Sequence, residues 1–316
     1  MSEGVRVVFW GNSASTFSAR HFAALLKPSV ELVGVVDVPP AHRRTTNPLP
    51  DNLIPFADEA RHRGIPTFEP DSPNEPGFIT ALSELLPDLF IAAGYALILK
   101  QQVLAVPHSL AVNFHASLLP EYRGKHPVFW ALREGEKWAG LTVHAMDAGI
   151  DTGDILYQVK VRTRRDDSVT SLYERIMARS VPLVDQLASD AAHGCIPRRP
   201  QPESSGSYYS STCEADFRLD WNWPAEKIRQ FITISPGRCF IQIGGQRMYF
   251  LNAESVPLAA AAAPGTLLHI GRKRVVVAAN RGAVSCSRVQ VEGSQIESFS
   301  AFCRRLGLVS GDILTV

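Results

Sequence analysis

The chain has 316 residues, of which 45% are apolar and 20% are charged, and its formal net charge is +1. This composition is typical of a globular protein with room for about two domains. A charge so close to neutral argues against a dominant nucleic-acid or membrane surface. No apolar run reaches the ~18 residues of a membrane-spanning helix, so no membrane contact is expected.

Cysteine and histidine usage argues against a disulfide framework or a metal centre. The five cysteines are widely spaced without a C-x-x-C pair, and the nine histidines show no ligand spacing with Glu or Cys. The first residues enter a strand pattern directly, without the features of a signal peptide. We therefore expect reduced thiols, no bound metal and a cytoplasmic location.

Short apolar runs alternate with helical patterns over the first two-thirds of the chain. Buried strands are predicted at residues 5–11, 30–38, 87–94, 110–116 and 140–146. Helices are predicted at 15–27, 55–64, 77–86 and 169–194, the last with Pro182 as a kink or a first-turn residue. This alternation predicts an α/β fold with a Rossmann-like, mainly parallel sheet.

The pattern changes after the Pro-, Ser- and Gly-rich stretch 197–211, which we interpret as a linker. A short helix is predicted near 224–232. Short strands are predicted after it, at residues 238–245, 246–253, 265–271, 273–279 and 283–291. This spacing is typical of a small β-barrel. The sequence thus predicts an α/β domain over 1–203 and a β-barrel-like domain over 204–316.

Two polar side chains stand at the end of the predicted strand 110–116. Asn113 and His115 are two residues apart, so both side chains point to the same face of a strand. Ligands of open parallel sheets bind at the carboxyl ends of the strands. Asp151 follows the next predicted strand, and we expect it near the same edge. These three side chains are the candidate catalytic trio.

Such a trio suits acyl transfer to an amine. An Asn amide can donate to a carbonyl oxygen as it becomes an oxyanion, and a His can relay a proton near neutral pH. A carboxylate can orient the His or accept a proton. No G-x-S-x-G motif occurs and no cysteine lies near, so an acyl-enzyme is not indicated. The alternative is that these are hydrogen-bonded structural residues.

The block 113-NFHASLLPEYRGKHPVFWAL-132, followed by 140-GLTVHAMDAGIDTGDIL-156, resembles the 10-formyltetrahydrofolate-dependent formyltransferases. The family pattern is an Asn-x-His, a Ser-Leu-Leu-Pro, a Tyr-Arg-Gly and an Asp in a Gly-x-Asp-Thr-Gly loop. The resemblance implies that Asn113 polarises the formyl carbonyl and that His115 stabilises the oxyanion and shuttles protons. It implies that Asp151 orients the His or acts as the base, and that 10-formyltetrahydrofolate is the co-substrate.

The resemblance also implies binding residues. Those of a folate slot would be Gly94, Tyr95, Leu97, Leu99, Asp147, Gly149 and Ile150. Those facing the acceptor would be Trp10, Gly11 and Asn12, and Arg123 and Lys125 are candidates for contact with a substrate phosphate. The alternatives are a packing role for Tyr95 and plain exposure of the two basic residues.

The resemblance continues into the C-terminal third and reduces the number of possible acceptors. The stretches 219-LDWNWPAEKIRQFITISPG-237 and 264-PGTLLHIG-271 resemble a second domain with an oligonucleotide-fold-like barrel. Relatives that formylate glycinamide ribonucleotide end near residue 200, so that acceptor is disfavoured. Two kinds of acceptor remain possible: a nucleotide-linked amino sugar or similar small metabolite, and methionyl-tRNA.

Four features favour the amino sugar. The net charge is near neutral, and the loop 38–52 has two Arg and no Lys, which is little positive charge for binding tRNA. The tail 305–314 resembles that of the aminoarabinose-type enzymes. Lys125 and His126 stand where the tRNA-specific enzymes usually have small residues. The segment 234–240 departs from both types, because it lacks their Trp-Pro-Gly-Ala run. We predict an amino-sugar acceptor, with methionyl-tRNA as the alternative and a homodimer left open.

Two other classes compete with a transferase. A formyltetrahydrofolate hydrolase uses a similar trio with water as acceptor, but such proteins carry an amino-terminal regulatory domain, which we do not expect here. A non-catalytic protein could bind nucleic acid through the second domain. The aromatic candidates for base stacking are Trp221, Trp223, Tyr249 and Phe250, for which packing in the core is the alternative.

Overall fold

The computed structural model describes residues 4–43, 45, 47–202, 206–258 and 261–314. The chain divides into two compact units. The first comprises the residues up to Thr163 and Thr170–Ser211, and the second comprises Arg164–Val169 and the residues from Thr212 onward. The predicted boundary at 203/204 lies outside the described residues, so the division into 1–203 and 204–316 stays a prediction.

The first unit is built from alternating strands and helices. Its strands are β1 Val5–Gly11, β2 Val30–Asp37, β3 Thr67–Phe68, β4 Leu89–Ala93, β5 Leu110–His115, β6 Arg123–Gly124, β7 Trp138–Ala145, β8 Ile155–Arg162 and β9 Tyr208–Tyr209. Its helices are α1 Thr16–Leu25, α2 Phe56–His62, α3 Pro76–Glu84, α4 Gln101–Leu104, α5 Pro127–Arg133, α6 Val169–Ser180 and α7 Pro182–Ala192. Pro182 begins α7, as one of the two predicted alternatives requires.

Within the described residues, one sheet runs in the order β3-β2-β1-β4-β5-β7-β8. The strands from β3 to β5 are parallel to their neighbours. The pairs β5–β7 and β7–β8 are antiparallel. The predicted α/β fold with a mainly parallel sheet is confirmed. The sequence did not predict β8, because this strand carries polar residues on its half-exposed face.

The central strands are apolar because helices cover both of their faces. All five residues of β4 are buried. On one side of the sheet Trp10 packs against Phe90, with ring centroids 5.2 Å apart, and on the other Phe9 packs against Phe56 at 5.2 Å. Each buried side chain of this size contributes about 1.5–3 kcal/mol. At Gly11, the last residue of β1, a Cβ would lie 2.8 Å from the Phe9 ring, so the end of this strand favours glycine.

The second unit is mainly antiparallel β structure. Its elements in chain order are α8 Ala225–Ile234, β10 Phe240–Ile243, β11 Gln246–Phe250, β12 Glu254–Val256, β13 Leu267–Ile270, β14 Val275–Ala278, β15 Ala283–Cys286, β16 Arg288–Val291, β17 Ile296–Ser298 and α9 Phe299–Arg305. The described strands form two four-stranded sheets, β10-β11-β16-β17 and β12-β15-β14-β13. The prediction of a small β domain after the α/β domain is confirmed.

Aromatic residues of the second unit fill its core. Trp221 and Phe250 are almost fully buried, and Trp223 packs against the same cluster. Their position supports the packing alternative rather than base stacking. Among the described helices of the whole chain, none is long and apolar enough to cross a membrane.

Candidate functional site

Asn113 lies in β5 directly opposite His144 of β7. Its amide nitrogen Nδ2 lies 3.2 Å from His144 Nε2 and 3.3 Å from Asp151 Oδ1. His144 Nδ1 lies 2.8 Å from the carbonyl oxygen of Ala145. Since a carbonyl only accepts, His144 carries a hydrogen on Nδ1, and its Nε2 lies 3.3 Å from Asp151 Oδ1 as well as beside the amide.

His115, at the end of β5, lies between two acceptors. Its Nε2 is 2.8 Å from the carbonyl oxygen of Tyr122, and its Nδ1 is 3.5 Å from Asp151 Oδ2. The Tyr122 carbonyl therefore holds the hydrogen of the neutral ring on Nε2. This leaves Nδ1 free to take up a proton on the side that faces the carboxylate.

Asp151 reaches the other two residues by a route that the sequence did not predict. Because β7 is antiparallel to β5, it ends at Ala145, which pairs with Val112 rather than with the end of β5. The loop after β7 turns back, and Asp151 has a φ of +55°, in the left-handed region. Its Oδ2 accepts from the Gly124 backbone N–H at 2.8 Å. The trio is therefore assembled as expected, but from an antiparallel strand.

The charges of the trio follow from burial and from these contacts. Burial would raise the pKa of the Asp151 carboxyl, but His115, His144 and the Gly124 N–H together hold it well below its usual range. Burial lowers the pKa of the His115 imidazole, against the opposing effect of the Asp151 carboxylate. At neutral pH the site therefore contains an anionic Asp151 beside a neutral His115.

The predicted folate slot begins where β4 ends. Gly94 is exposed with a φ of +78°, Leu97 is half-buried and Leu99 is buried in the core. Tyr95 packs its ring against Trp10 at 5.1 Å, which agrees with a packing role. Its hydroxyl is nevertheless buried without a hydrogen-bond partner among the described residues, so it is available to a polar ligand.

The other predicted wall of the slot is the loop before Asp151. Asp147 Oδ1 accepts from the Gly149 N–H at 3.0 Å and from the Thr152 hydroxyl at 2.7 Å. These bonds define a tight turn that leaves the Ile150 side chain 45% exposed. An exposed apolar side chain beside a polar turn suits a flat heteroaromatic ring, which combines apolar faces with polar edges.

The residues predicted to face the acceptor lie deeper than expected. Trp10 is 0% exposed and Asn12 is 2% exposed. Asn12 Oδ1 accepts from the Ala14 N–H at 3.0 Å, and its own N–H donates to the Ser18 hydroxyl at 3.0 Å. Trp10 packs in the core with its Nε1 unpartnered among the described residues, and Asn12 shapes the turn after β1. Contact of Trp10, Gly11 and Asn12 with the acceptor stays a prediction.

The two predicted phosphate contacts differ in their surroundings. Arg123 Nη2 donates to Gln201 Oε1 at 2.8 Å, while its Nε is buried without a hydrogen-bond partner among the described residues. Lys125 is exposed. Contact of either side chain with a substrate phosphate stays a prediction. Among the described residues, no group of three or more His, Cys, Asp or Glu could hold a metal ion.

Sequence reasoning missed His144, Gly124 and Gln201. His144 had the same signal as Asn113, a polar residue inside an apolar run, and a search for that signal in every predicted strand would have found it. Gly124 acts through its backbone N–H, and Gln201 donates its side-chain amide to the carbonyl oxygens of Asp151 and Gly153 at 2.9 and 2.7 Å. Neither has a residue-type signal.

The chain thus combines an α/β sheet that carries the Asn113, His115 and Asp151 cluster at its edge with a second unit of antiparallel β structure. The family model for formyl transferase matches residues 5–183, and that for the formyl transferase C-terminal domain matches residues 213–307. The chain therefore belongs to the formyl transferase family. It is a formyltransferase of the folate-dependent, one-carbon-transferring kind.

A relative and two solved structures illustrate the likeness. Methionyl-tRNA formyltransferase from Pseudomonas paraeruginosa is 32% identical over 98% of this chain and 99% of its own length. The N-formyltransferase from Helicobacter canadensis, solved with folinic acid and dTDP-3-aminofucose, is 15% identical, with a TM-score of 0.66 over 89% of this chain and 98% of that one. HypX from Aquifex aeolicus is 18% identical, with a TM-score of 0.63; the match covers 98% of this chain but only 50% of HypX.

Proposed function

We propose that this enzyme transfers the formyl group of 10-formyltetrahydrofolate to a primary amine, with Asn113, His115 and Asp151 as its catalytic residues. The observation that supports the proposal is the contact between the three side chains. Asp151 lies 3.5 Å from His115 and 3.3 Å from Asn113, with its carboxylate held anionic. A donor amide, a neutral imidazole and a carboxylate within contact of one another suit a reaction through a tetrahedral intermediate.

Each residue has a defined task in this reaction. The amine nitrogen attacks the formyl carbon, the new C–N bond forms, and the bond from that carbon to the folate nitrogen breaks. When substrate binds, Asn113 Nδ2 exchanges its 3.3 Å contact with Asp151 for one with the formyl oxygen and donates to that oxygen as negative charge develops on it. His115 takes the proton released by the amine at Nδ1 and returns it to the departing folate nitrogen. Asp151 stabilises the imidazolium that exists between these two steps.

The folate donor supplies the activated one-carbon unit. Residues on both sides of the site suit a pterin: the unpartnered hydroxyl of Tyr95 and the half-buried Leu97 on one side, and the Ile150 side chain with its turn on the other. Gly94 and Gly149 are both exposed there. We propose these residues as the folate slot, with Leu99 behind it as core support.

We propose methionyl-tRNA as the first candidate acceptor. The support comes from relatives at 32% identity along nearly the whole length of both chains, which carry that name. The predicted amino-sugar acceptor has weaker support, since the solved sugar N-formyltransferase is only 15% identical. A net charge of +1 describes the whole chain and does not exclude a local RNA-binding face.

An acceptor screen with the full chain and 10-formyltetrahydrofolate tests the proposal. Methionyl-tRNA, uncharged tRNA and free methionine would be compared with nucleotide-linked amino sugars, following tetrahydrofolate release and the mass of the formylated product. Formylation of methionyl-tRNA alone is the expected result. Formylation of an amino sugar alone would overturn the acceptor, and the absence of transfer to any amine would overturn the reaction itself.

A further inference from the structure

The described residues 201–202 and 206–209 of the first unit, here called the segment, lie beside the loop of Asp151 and β6. β9 of this segment pairs in parallel with β6. The Arg123 N–H donates to the Ser207 carbonyl at 2.8 Å, and the Lys125 N–H donates to the Tyr209 carbonyl at 2.9 Å. Between these two bonds lies Gly124, whose own N–H is left to the Asp151 carboxylate.

Gln201 connects the two parts of this arrangement. Its side-chain Nε2 donates to the carbonyl oxygens of Asp151 at 2.9 Å and Gly153 at 2.7 Å, and its Oε1 accepts from Arg123 at 2.8 Å. An amide nitrogen has two hydrogens, so each carbonyl receives one of them. Gln201 therefore fixes the backbone of the Asp151 loop relative to β6.

The backbone of Asp151 needs such support. Its φ of +55° is unfavourable for a residue with a Cβ, by roughly 1–2 kcal/mol. A residue keeps such a conformation only where its neighbours fix it. The fixing contacts here are the Gly124 N–H to its carboxylate and the Gln201 amide to its carbonyl oxygen.

The same segment also holds the partner of His115. The Tyr122 N–H donates to the Ser207 hydroxyl at 2.9 Å, and the Tyr122 ring stacks on the Tyr209 ring, with centroids 5.3 Å apart. The carbonyl of Tyr122 is the group that binds His115 Nε2. The position of both titrating members of the trio therefore depends on contacts with this segment.

We propose that Gln201 is a positioning residue of the active site, which holds the Asp151 carboxylate within reach of His115 and Asn113. The proposal rests on the proposed catalytic role of the trio. It predicts that removing the two amide donors lets the loop relax and moves the carboxylate away from the imidazole, although Gln201 itself touches no reacting atom.

The test compares Gln201→Met with Gln186→Met in the full chain. Gln186 is an exposed glutamine of α7 that bonds Asp190, so its variant controls for loss of a side-chain amide. The first measurement is the NMR titration of the His115 imidazole, which needs no substrate, with the signal assigned from its absence in His115→Gln. The Asp151 carboxylate raises the pKa of this imidazole. The variant Asp151→Asn therefore shows how far, and in which direction, the His115 pKa moves when the carboxylate charge is removed completely.

We expect Gln201→Met to lower the pKa of His115 in the same direction as Asp151→Asn, and to lower kcat on the order of 10-fold or more with unchanged KM values. Gln186→Met should change neither. An unchanged His115 titration, or a higher acceptor KM with normal kcat, overturns the proposal. If Gln201→Met does not fold, Gln201→Glu decides, because it keeps the Arg123 contact and lacks both donors. A wild-type enzyme without transferase activity would leave the titration result intact, so the two failures are distinguishable.

Discussion

Asn113 and His144 face each other across the antiparallel pair β5–β7, with 3.2 Å between the amide Nδ2 and the imidazole Nε2. His144 donates from Nδ1 to the Ala145 carbonyl, and its Nε2 contacts both the Asn113 amide and, at 3.3 Å, Asp151 Oδ1. The Asn113 NH2 group also lies 3.3 Å from Asp151 Oδ1, so the three side chains contact one another. The donor that the proposed reaction needs at the formyl oxygen is thus in contact with a residue that lies outside the trio.

Replacing His144 with Leu is expected to lower kcat on the order of 10-fold, since both the Asn113 amide and the Asp151 carboxylate lose a polar contact and one such bond is worth about 1 kcal/mol or more. KM for the folate donor should stay close to the wild-type value. Steady-state kinetics check this, with His108→Leu as control because His108 is an exposed histidine next to Asp88. Equal kcat in the two variants would contradict the role of His144.

Asp151→Asn and His115→Ala are each expected to lower kcat on the order of 10²-fold or more, the usual effect of losing an acid–base group. Single-turnover measurements of formyl transfer separate this loss from slow product release. Asp154→Asn is the matched control, because Asp154 belongs to the same loop but pairs with Arg198. Turnover at the wild-type level in both trio variants would exclude the assigned roles.

Much of the first unit and two members of the trio follow from sequence pattern alone. β1, β2, β4 and β5 are apolar runs, and Asn113 and His115 stand out at the end of such a run. The direction of β7 could not be predicted, because periodicity of two is the same for parallel and antiparallel strands. This is why the route to Asp151 differs from the expected one.

Contacts between residues far apart in the sequence could not be predicted either. Gln201 meets the Asp151 carbonyl across 50 residues of chain, in a stretch that composition marks only as a linker. β8 was missed because Tyr157, Gln158 and Lys160 interrupt its apolar pattern. The buried state of Trp10 agrees with the predicted buried strand 5–11, because a strand buried on both faces places successive residues in the core.

A second histidine outside the site should control stability in acid. His21 is fully buried between the Phe17 carbonyl, at 2.7 Å, and the Ser180 hydroxyl, at 3.1 Å. Burial lowers its pKa to about 4 from 6.5, against a smaller opposing effect of the carbonyl. In the unfolded chain His21 takes up a proton below about pH 6.5, while in the folded chain it stays neutral until about pH 4.

Between pH 6.5 and pH 4 the unfolded state binds more protons than the folded state, so the free energy of unfolding falls as the pH drops through this range. The contribution of His21 amounts to about 3 kcal/mol over the whole window. The free energy of unfolding, measured with denaturant at pH 7 and at pH 5, should differ less between the two pH values for His21→Gln than for wild type. His62→Gln, on the outer end of α2, should leave the difference unchanged. If the free energy of unfolding changed with pH by the same amount in His21→Gln and in wild type, His21 would not be a source of the acid sensitivity.

The turn that carries Ile150 gives a test of the folate slot. A Cβ at Gly149 would lie 2.0 Å from Thr152 Oγ1, the hydroxyl that donates to Asp147. Gly149→Ala must therefore displace Thr152 and break a hydrogen bond to a carboxylate, worth about 1.5–3 kcal/mol. We expect KM for 10-formyltetrahydrofolate to rise on the order of 10-fold, with a smaller change in kcat. Gly77→Ala in α3 is the control, because a Cβ there meets no atom within 4 Å. Equal donor KM values in the two variants would show that this turn does not shape the slot, and would move the folate site away from Gly149 and Ile150.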